Sequence, residues 1–159
     1  GDKVLMREAA SAYFDAAFKN PQEYHADLVH SYKLFYEGFQ NVHPEPPLNP
    51  WLQYGETAYR LGYFDTALFI YCPILTQPNT PGESTYLFAK SLEAKGLSHD
   101  AAIWMQVATN EMADTDPEKA EAWFHESQQF AGNLRQSEST PFVRAIPEKE
   151  KTPFPIGFY

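Results

Sequence analysis

The stretch from Trp51 to Ala108 repeats its residue pattern after 34 positions. Gly62 recurs as Gly96, and Ala67 recurs as Ala101. Residues of related class match at the same spacing, namely Tyr54 with Phe88, Gly55 with Ala89, Phe69 with Ile103, Tyr71 with Met105 and Ile74 with Ala108. A period of this length is typical of stacked helical units. We therefore predict that each 34-residue unit is one pair of helices.

Small side chains give this period a physical reason. Two helices of a unit can approach closely where they cross only if the residues at the crossing are small. The residues expected there are Gly55, Ala67, Ala89 and Ala101. Gly62 and Gly96 fall between the two helices of each unit, where a residue that accepts a positive φ ends the first helix.

The first unit resembles the tetratricopeptide repeat, whose pattern is W-x2-L-G-x2-Y, then A-x3-F, then P. The residues that carry the resemblance are Trp51, Tyr54, Gly55, Ala58, Ala67, Tyr71 and Pro78. The second unit retains Thr85, Phe88, Ala89, Leu92, Gly96, Ala101 and Met105, but it lacks the Trp and the closing Pro. The resemblance implies an all-α, right-handed array of antiparallel helical hairpins with about seven helices. A pair of ordinary helical hairpins with a chance period is the alternative.

The repeat divides the chain into five parts. We expect an N-terminal helical hairpin in residues 1–41, as a degenerate repeat or cap, and a Pro-rich linker in 42–50. Two repeats follow in 51–115, then a capping helix in 116–134 and an extended tail in 135–159. The helices are predicted at about 3–19, 21–39, 51–61, 64–77, 83–95, 98–111 and 117–134.

Local residues predict how several helices begin, end or bend. Asn20 suits the end of the first helix, and Asn49 and Asp116 are expected to cap the third and the seventh. Pro73 is expected to kink the fourth helix near Phe69.

Composition limits the classes of partner. The net charge of −9 disfavours nucleic acid, and 43% apolar with 16% aromatic residues argues against disorder. A single cysteine, Cys72, excludes an internal disulfide, and no apolar run is long enough to predict membrane insertion. Gly1 in place of a Met suggests trimming or removal of a signal peptide, so we expect an extracytoplasmic location, periplasmic or secreted, in preference to the cytoplasm.

The sequence shows no motif of a known catalytic, cofactor or metal site. His25 and His30 are five positions apart, which does not place them on one helix face for a metal. Glu121 and His125 are four apart, as in a surface ion pair. We therefore expect no catalytic residue, no metal and no cofactor, and the protein is not predicted to be an enzyme.

Helical arrays bind partners on their concave face. The resemblance places the partner-binding positions on the first helix of each unit. These peptide-binding candidates are Asn49, Leu52, Glu56, Tyr59, Glu83, Tyr86, Lys90 and Glu93. The family's capture of an acidic carboxylate uses Lys and Asn where this chain has Leu52 and Glu56, so that mode is disfavoured. The aromatic, net acidic lining instead favours a basic or aromatic segment, although Tyr59 and Tyr86 could equally be half-buried packing residues.

We expect a protein-binding or assembly scaffold of bacterial type. A cap or sensor domain of a larger enzyme or transport system is the alternative, as is a small hydrolase whose site is hidden in the sequence. The apolar tail residues Phe154, Ile156, Phe158 and Tyr159 could occupy the groove of this chain or of a second copy, which would make a homodimer.

Overall fold

The computed structural model describes residues 2–77 and 80–134 of the chain. Its seven α-helices are α1 (Asp2–Ala17), α2 (Tyr24–Gly38), α3 (Asn49–Arg60), α4 (Phe64–Ile74), α5 (Gly82–Ala94), α6 (Ser98–Met112) and α7 (Pro117–Leu134), and a 3₁₀ turn, Pro21–Glu23, precedes α2. These ranges contain no strand, so the prediction of an all-α fold is confirmed. Pro78 and the predicted tail, residues 135–159, lie outside the described residues.

Each helix packs against the next one along the chain. Contacts also join α1 to α3 and α3 to α5, so alternate helices meet as well. A single hydrophobic core extends from Ala10 on α1 to Phe130 on α7. The helices therefore share one apolar interior rather than forming separate bodies.

The two predicted turn glycines have the same backbone geometry. Gly62 has φ +85° and Gly96 has φ +81°, as the sequence predicts. After each first helix, the second residue of the turn sends its amide back five positions: Tyr63 N–H to Ala58 O at 2.8 Å, and Leu97 N–H to Leu92 O at 2.9 Å. This bond satisfies a carbonyl that the helix end would otherwise leave free. The 34-residue repeat is thus a repeat of backbone hydrogen bonds.

The helices α3 and α4 approach closely where Gly55 meets Tyr71. A Cβ added to Gly55 would lie 2.6 Å from Tyr71 Cζ and 2.7 Å from Cε1. The Tyr71 ring is 1% exposed, so it has little room to move. One unit later the same positions hold Ala89 and Met105, both fully buried. The rigid ring requires a glycine, whereas a flexible Met tolerates Ala.

The first hairpin uses small residues too, at positions that the sequence did not reveal. Ser31 is buried on α2, and its Oγ donates to Ala10 O on α1 at 2.8 Å. A Cβ at Gly38 would lie 2.7 Å from Cγ of Arg7. The helices α1 and α2 do not follow the 34-residue pattern, yet they too have small residues where they lie close together.

An aromatic cluster joins this hairpin to the first unit. The rings of Phe39 and Trp51 stack with centroids 3.7 Å apart, and Tyr54 lies 5.5 Å from Phe35 and 5.7 Å from Phe39. These residues lie on both sides of the Pro-rich segment, residues 42–50. The rings therefore fasten the two sides together across that segment.

The prediction that Asn49 caps α3 is wrong. The helix begins one residue earlier, with Leu48 as its N-cap and without a side-chain cap. The amide of Leu52, which an Asn49 cap would have bound, already donates to Leu48 O at 2.9 Å. The prediction that Asn20 caps the end of α1 is also wrong. That helix ends at Ala17, and Asn20 caps the following 3₁₀ turn, where its Oδ1 accepts from the Gln22 amide at 3.2 Å.

Pro73 marks the end of α4. The helix ends at Ile74, three residues before the predicted Gln77, so Pro73 occupies its last turn. At the start of α7, Asp116 is a cap as predicted: its Oδ1 accepts from the Lys119 amide at 3.1 Å.

We predict that Gly55→Ala lowers the free energy of unfolding. Overpacking a core costs about 1–3 kcal/mol, while the better helix propensity of Ala returns up to about 1 kcal/mol. Gly132→Ala is the matched control, because nothing lies within 4 Å of its added Cβ; we expect it to stabilise by about 0.5–1 kcal/mol.

A double variant, Gly55→Ala/Tyr71→Met, copies the Ala89–Met105 pair of the second unit. Its free energy of unfolding in urea is compared with that of Gly55→Ala alone. The double variant should recover stability relative to Gly55→Ala. The steric argument fails if Gly55→Ala is as stabilising as Gly132→Ala, or if Tyr71→Met brings no recovery.

Candidate functional site

The eight predicted binding positions form two rows. One row is on α3 (Asn49, Leu52, Glu56, Tyr59) and the other is on α5 (Glu83, Tyr86, Lys90, Glu93). Asn49 and Glu83 are exposed, and the other six are partly buried. No residue of either row is fully buried, so both rows reach the surface.

The α5 row is joined to α7 along its whole length. Four pairs make this contact: Glu83 Oε2 with Lys119 Nζ at 3.2 Å, the Tyr86 ring with the Trp123 ring at 4.5 Å, Lys90 Nζ with Glu126 Oε1 at 2.9 Å, and Glu93 Oε1 with Asn133 Nδ2 at 3.2 Å. The contacts follow successive turns of α5 and extend along α7 from Lys119 to Asn133, so α7 runs beside the row. The charged groups of Glu83, Lys90 and Glu93 are therefore already bound to residues of α7.

Tyr86 is the centre of this contact. Its ring lies nearly parallel to Trp123, with 15° between the planes, and the Lys90 ammonium lies 5.8 Å from its centroid. Burial, and then a hydrogen bond to the Glu126 carboxylate, raise the pKa of Tyr86 well above its usual range. The ring therefore lies in a partly desolvated setting between α5 and α7.

The α3 row has a different environment. Glu56 Oε2 accepts from Arg60 Nε one turn further along α3, at 2.7 Å. Tyr59 meets the Phe64 ring edge-on at 5.8 Å, and Leu52 packs against the margin of the core. The polar and ring contacts of the α3 row come from α3 itself and from Phe64, the first residue of α4.

A cluster around Arg60 extends the α3 row toward the first hairpin. The guanidinium is 4.8 Å from the Phe18 ring centroid, and its Nη1 donates to Tyr24 Oη at 3.2 Å. The Phe18 ring in turn meets Tyr24 edge-on at 5.7 Å. We call Phe18, Tyr24, Glu56 and Arg60 the Arg60 cluster. Phe18 is 47% exposed despite these contacts.

Sequence reasoning missed most of this cluster. The four-residue spacing of Glu56 and Arg60 is a signal for an ion pair on one helix face. Phe18 and Tyr24 carry no such signal, because their approach to Arg60 depends on how the first hairpin packs against α3.

One buried carboxylate interrupts the repeat. Tyr32 Oη donates to Thr66 Oγ1 at 3.0 Å, which links α2 to α4 across 34 positions. Another 34 positions on stands Asp100, which is 7% exposed and whose Oδ2 has no hydrogen-bond partner in the described chain. Thr66 stands 34 positions after Tyr32, but its side chain is too short to reach Asp100 as the Tyr32 side chain reaches Thr66. Burial raises the pKa of Asp100, and the neighbouring His99 opposes the rise.

The remaining reactive side chains form no metal-binding group in the described ranges. No set of three or more His, Cys, Asp or Glu side chains in residues 2–77 and 80–134 could hold a metal ion. Burial raises the pKa of the Cys72 thiol, which makes it a poor nucleophile. His30 stacks on Tyr13 at 5.1 Å, and His125 Nε2 lies 4.0 Å from Glu121 Oε1. Within the same ranges, none of the helices has the length and apolarity required to cross a membrane.

We predict that Asp100→Asn stabilises the fold at neutral pH and not at acid pH. Because the folded state raises the pKa of Asp100, the unfolded state releases this proton first as pH rises. The Asp100 contribution is therefore fully present below the unfolded pKa, about 3.9, and is lost as pH rises through the folded value.

The measurement is urea unfolding at pH 3.5 and pH 7, with the exposed Asp114→Asn as control. The gain from Asp100→Asn should be larger at pH 7 than at pH 3.5. A gain that is equal at both pH values, or equal to that of Asp114→Asn, would contradict the burial argument.

Comparison of the chain with protein-family models, curated proteins and solved structures gives no match. The resemblance to the tetratricopeptide repeat therefore stands on the residues of this chain alone.

Proposed function

We propose that this protein is a non-catalytic scaffold for protein–protein interaction or assembly. Its helical hairpins would stack as a right-handed array of the tetratricopeptide kind, with the partner-binding face on the first helix of each unit. The equal turns at Gly62 and Gly96 and the contacts of α1 with α3 and of α3 with α5 support this arrangement. Such a surface is preformed and can receive an extended peptide or a helix.

The observation that carries the proposal is the Arg60 cluster beside the α3 row. Phe18 keeps about half of its surface exposed while Arg60 and Tyr24 fix its position. Exposed aromatic rings held in place by neighbours are typical of binding hot spots, since little side-chain entropy is lost on binding. Tyr59 lies one residue before Arg60 and is partly exposed.

The two rows would contribute unequally. The α5 row is already paired with α7, through Lys90 and Glu126 among others. A partner would therefore engage the α3 row first: Asn49, Leu52, Glu56 and Tyr59. It would reach Glu83, Tyr86, Lys90 and Glu93 only at the edge that α7 leaves open.

The chemistry of the α3 row favours a basic or aromatic segment as partner. The face of an aromatic ring attracts Lys and Arg, and the partly exposed Tyr59 offers such a ring beside Phe18, which already contacts Arg60. Glu56 adds a carboxylate, although Arg60 already contacts its Oε2, and the chain as a whole carries −9. This charge speeds the approach of a basic partner and repels an acidic one.

We predict that selection from a random 12-residue peptide display library enriches peptides with Lys or Arg next to an aromatic residue. Tyr59→Ala and Glu56→Ala should each weaken a recovered peptide about tenfold, which corresponds to about 1.4 kcal/mol. Isothermal titration measures the change.

Glu111→Ala, which removes an exposed carboxylate on α6, is the control and should leave the affinity unchanged. Recovery of no basic or aromatic peptides would contradict the proposal. Equal affinity of the Tyr59→Ala variant and the unchanged chain would move the binding face elsewhere.

A further inference from the structure

Helix α1 presents an apolar face that no described helix covers. Only two of its 16 residues are buried, Ala10 and Ala17. Val4 is 47% exposed and Leu5 is 63% exposed. The outward face of α1 therefore leaves two adjacent large apolar side chains in solvent.

The charges of α1 are sorted between its two sides. Lys3 Nζ donates to Gln40 O at 2.8 Å, and Arg7 donates to Gly38 O, so both cations turn to the end of α2. Glu8 and Asp15 are exposed, and they share a stripe of three- and four-residue spacing with Leu5 and Ala12. We call Val4, Leu5, Glu8, Ala12 and Asp15 the α1 face; it is apolar with an acidic margin.

We propose that residues 135–159 of the same chain dock on the α1 face. This segment holds four Lys or Arg and three Glu, a net charge of +1. Residues 1–134 carry −10, which gives the net −9 of the whole chain. Its large apolar residues are Phe142, Val143, Ile146, Phe154, Ile156, Phe158 and Tyr159. It is thus an apolar segment of small positive net charge, opposite an apolar face with an acidic margin. The proposal does not depend on the function proposed above.

The length of the segment suits this span. Contacts run from α1 to α3, from α3 to α5 and, through side chains such as Lys90 and Glu126, from α5 to α7. Three steps of about 10 Å between helix axes give a span of about 30 Å. A chain of 25 residues can bridge this distance, because an extended chain reaches about 3.3 Å per residue. Tethering also gives it an effective concentration in the millimolar range over its own α1 face.

Charge opposes one two-fold pairing of α1 with a second copy. In a two-fold pairing of α1 with its copy, centred between Ser11 and Ala12, Glu8 of each chain would stand opposite Asp15 of the other. Like charges in that position oppose association. The acidic margin therefore favours a basic occupant.

The test is limited trypsin cleavage of the full chain after Arg144, followed by mass spectrometry. Val4→Ser/Leu5→Ser should raise the cleavage rate at least about fivefold, because docking is lost. Phe69→Ser/Ile103→Ser is the matched control, since both of its residues are exposed apolar side chains on other helices; it should not change the rate. Circular dichroism confirms that each variant keeps its helices.

A second pair of variants tests the charges. Glu8→Gln/Asp15→Gln should also accelerate cleavage, whereas Glu111→Gln/Glu121→Gln, with the same change in net charge, should not. Equal rates in the α1-face variants and the unchanged chain would overturn the proposal. A rise shared by the control variants would do so too. Protection that grows with protein concentration, together with dimer in sedimentation, would assign the face to a second copy instead.

Discussion

The structure depends on how closely two helices can approach within one unit. On α3, Gly55 has no side chain, and the Tyr71 ring lies where its Cβ would be. Removing a ring of this size from water contributes about 1.5–3 kcal/mol, and it does so only if α3 leaves the space. In the second unit, Ala89 and Met105 meet the same requirement with a larger and a more flexible residue. The constraint is the combined shape of the pair, not the identity of either member.

The features that the sequence predicts well are those that depend on neighbours along the chain. Gly62 and Gly96 end their helices with positive φ because the turn itself demands it. Asp116 caps α7 because its side chain reaches the amide three residues on. The 34-residue period adds the burial of the four small residues at the helix crossings, since the same contact has to be made twice.

The features that it predicts poorly depend on how one hairpin meets another. Asn49 has the right residue type for a cap, yet the backbone bond from Leu52 to Leu48 takes its place. The contact between Phe18 and Arg60 is set by the docking of the first hairpin, 42 positions apart in sequence. The α5 row shows the same limit: its positions reach the surface, but their partners on α7 follow from packing that no local pattern encodes.

The central claim is that hairpin contact is governed by Gly55 against the Tyr71 ring. Nuclear Overhauser spectroscopy of the protein in solution tests it most directly. The account predicts strong cross-peaks between the Tyr71 ring protons and the Gly55 α-protons, with the Gly55 resonances shifted by the ring current, and cross-peaks between the Ala89 and Met105 methyl groups. Absence of the Gly55–Tyr71 cross-peaks in the folded protein would contradict it.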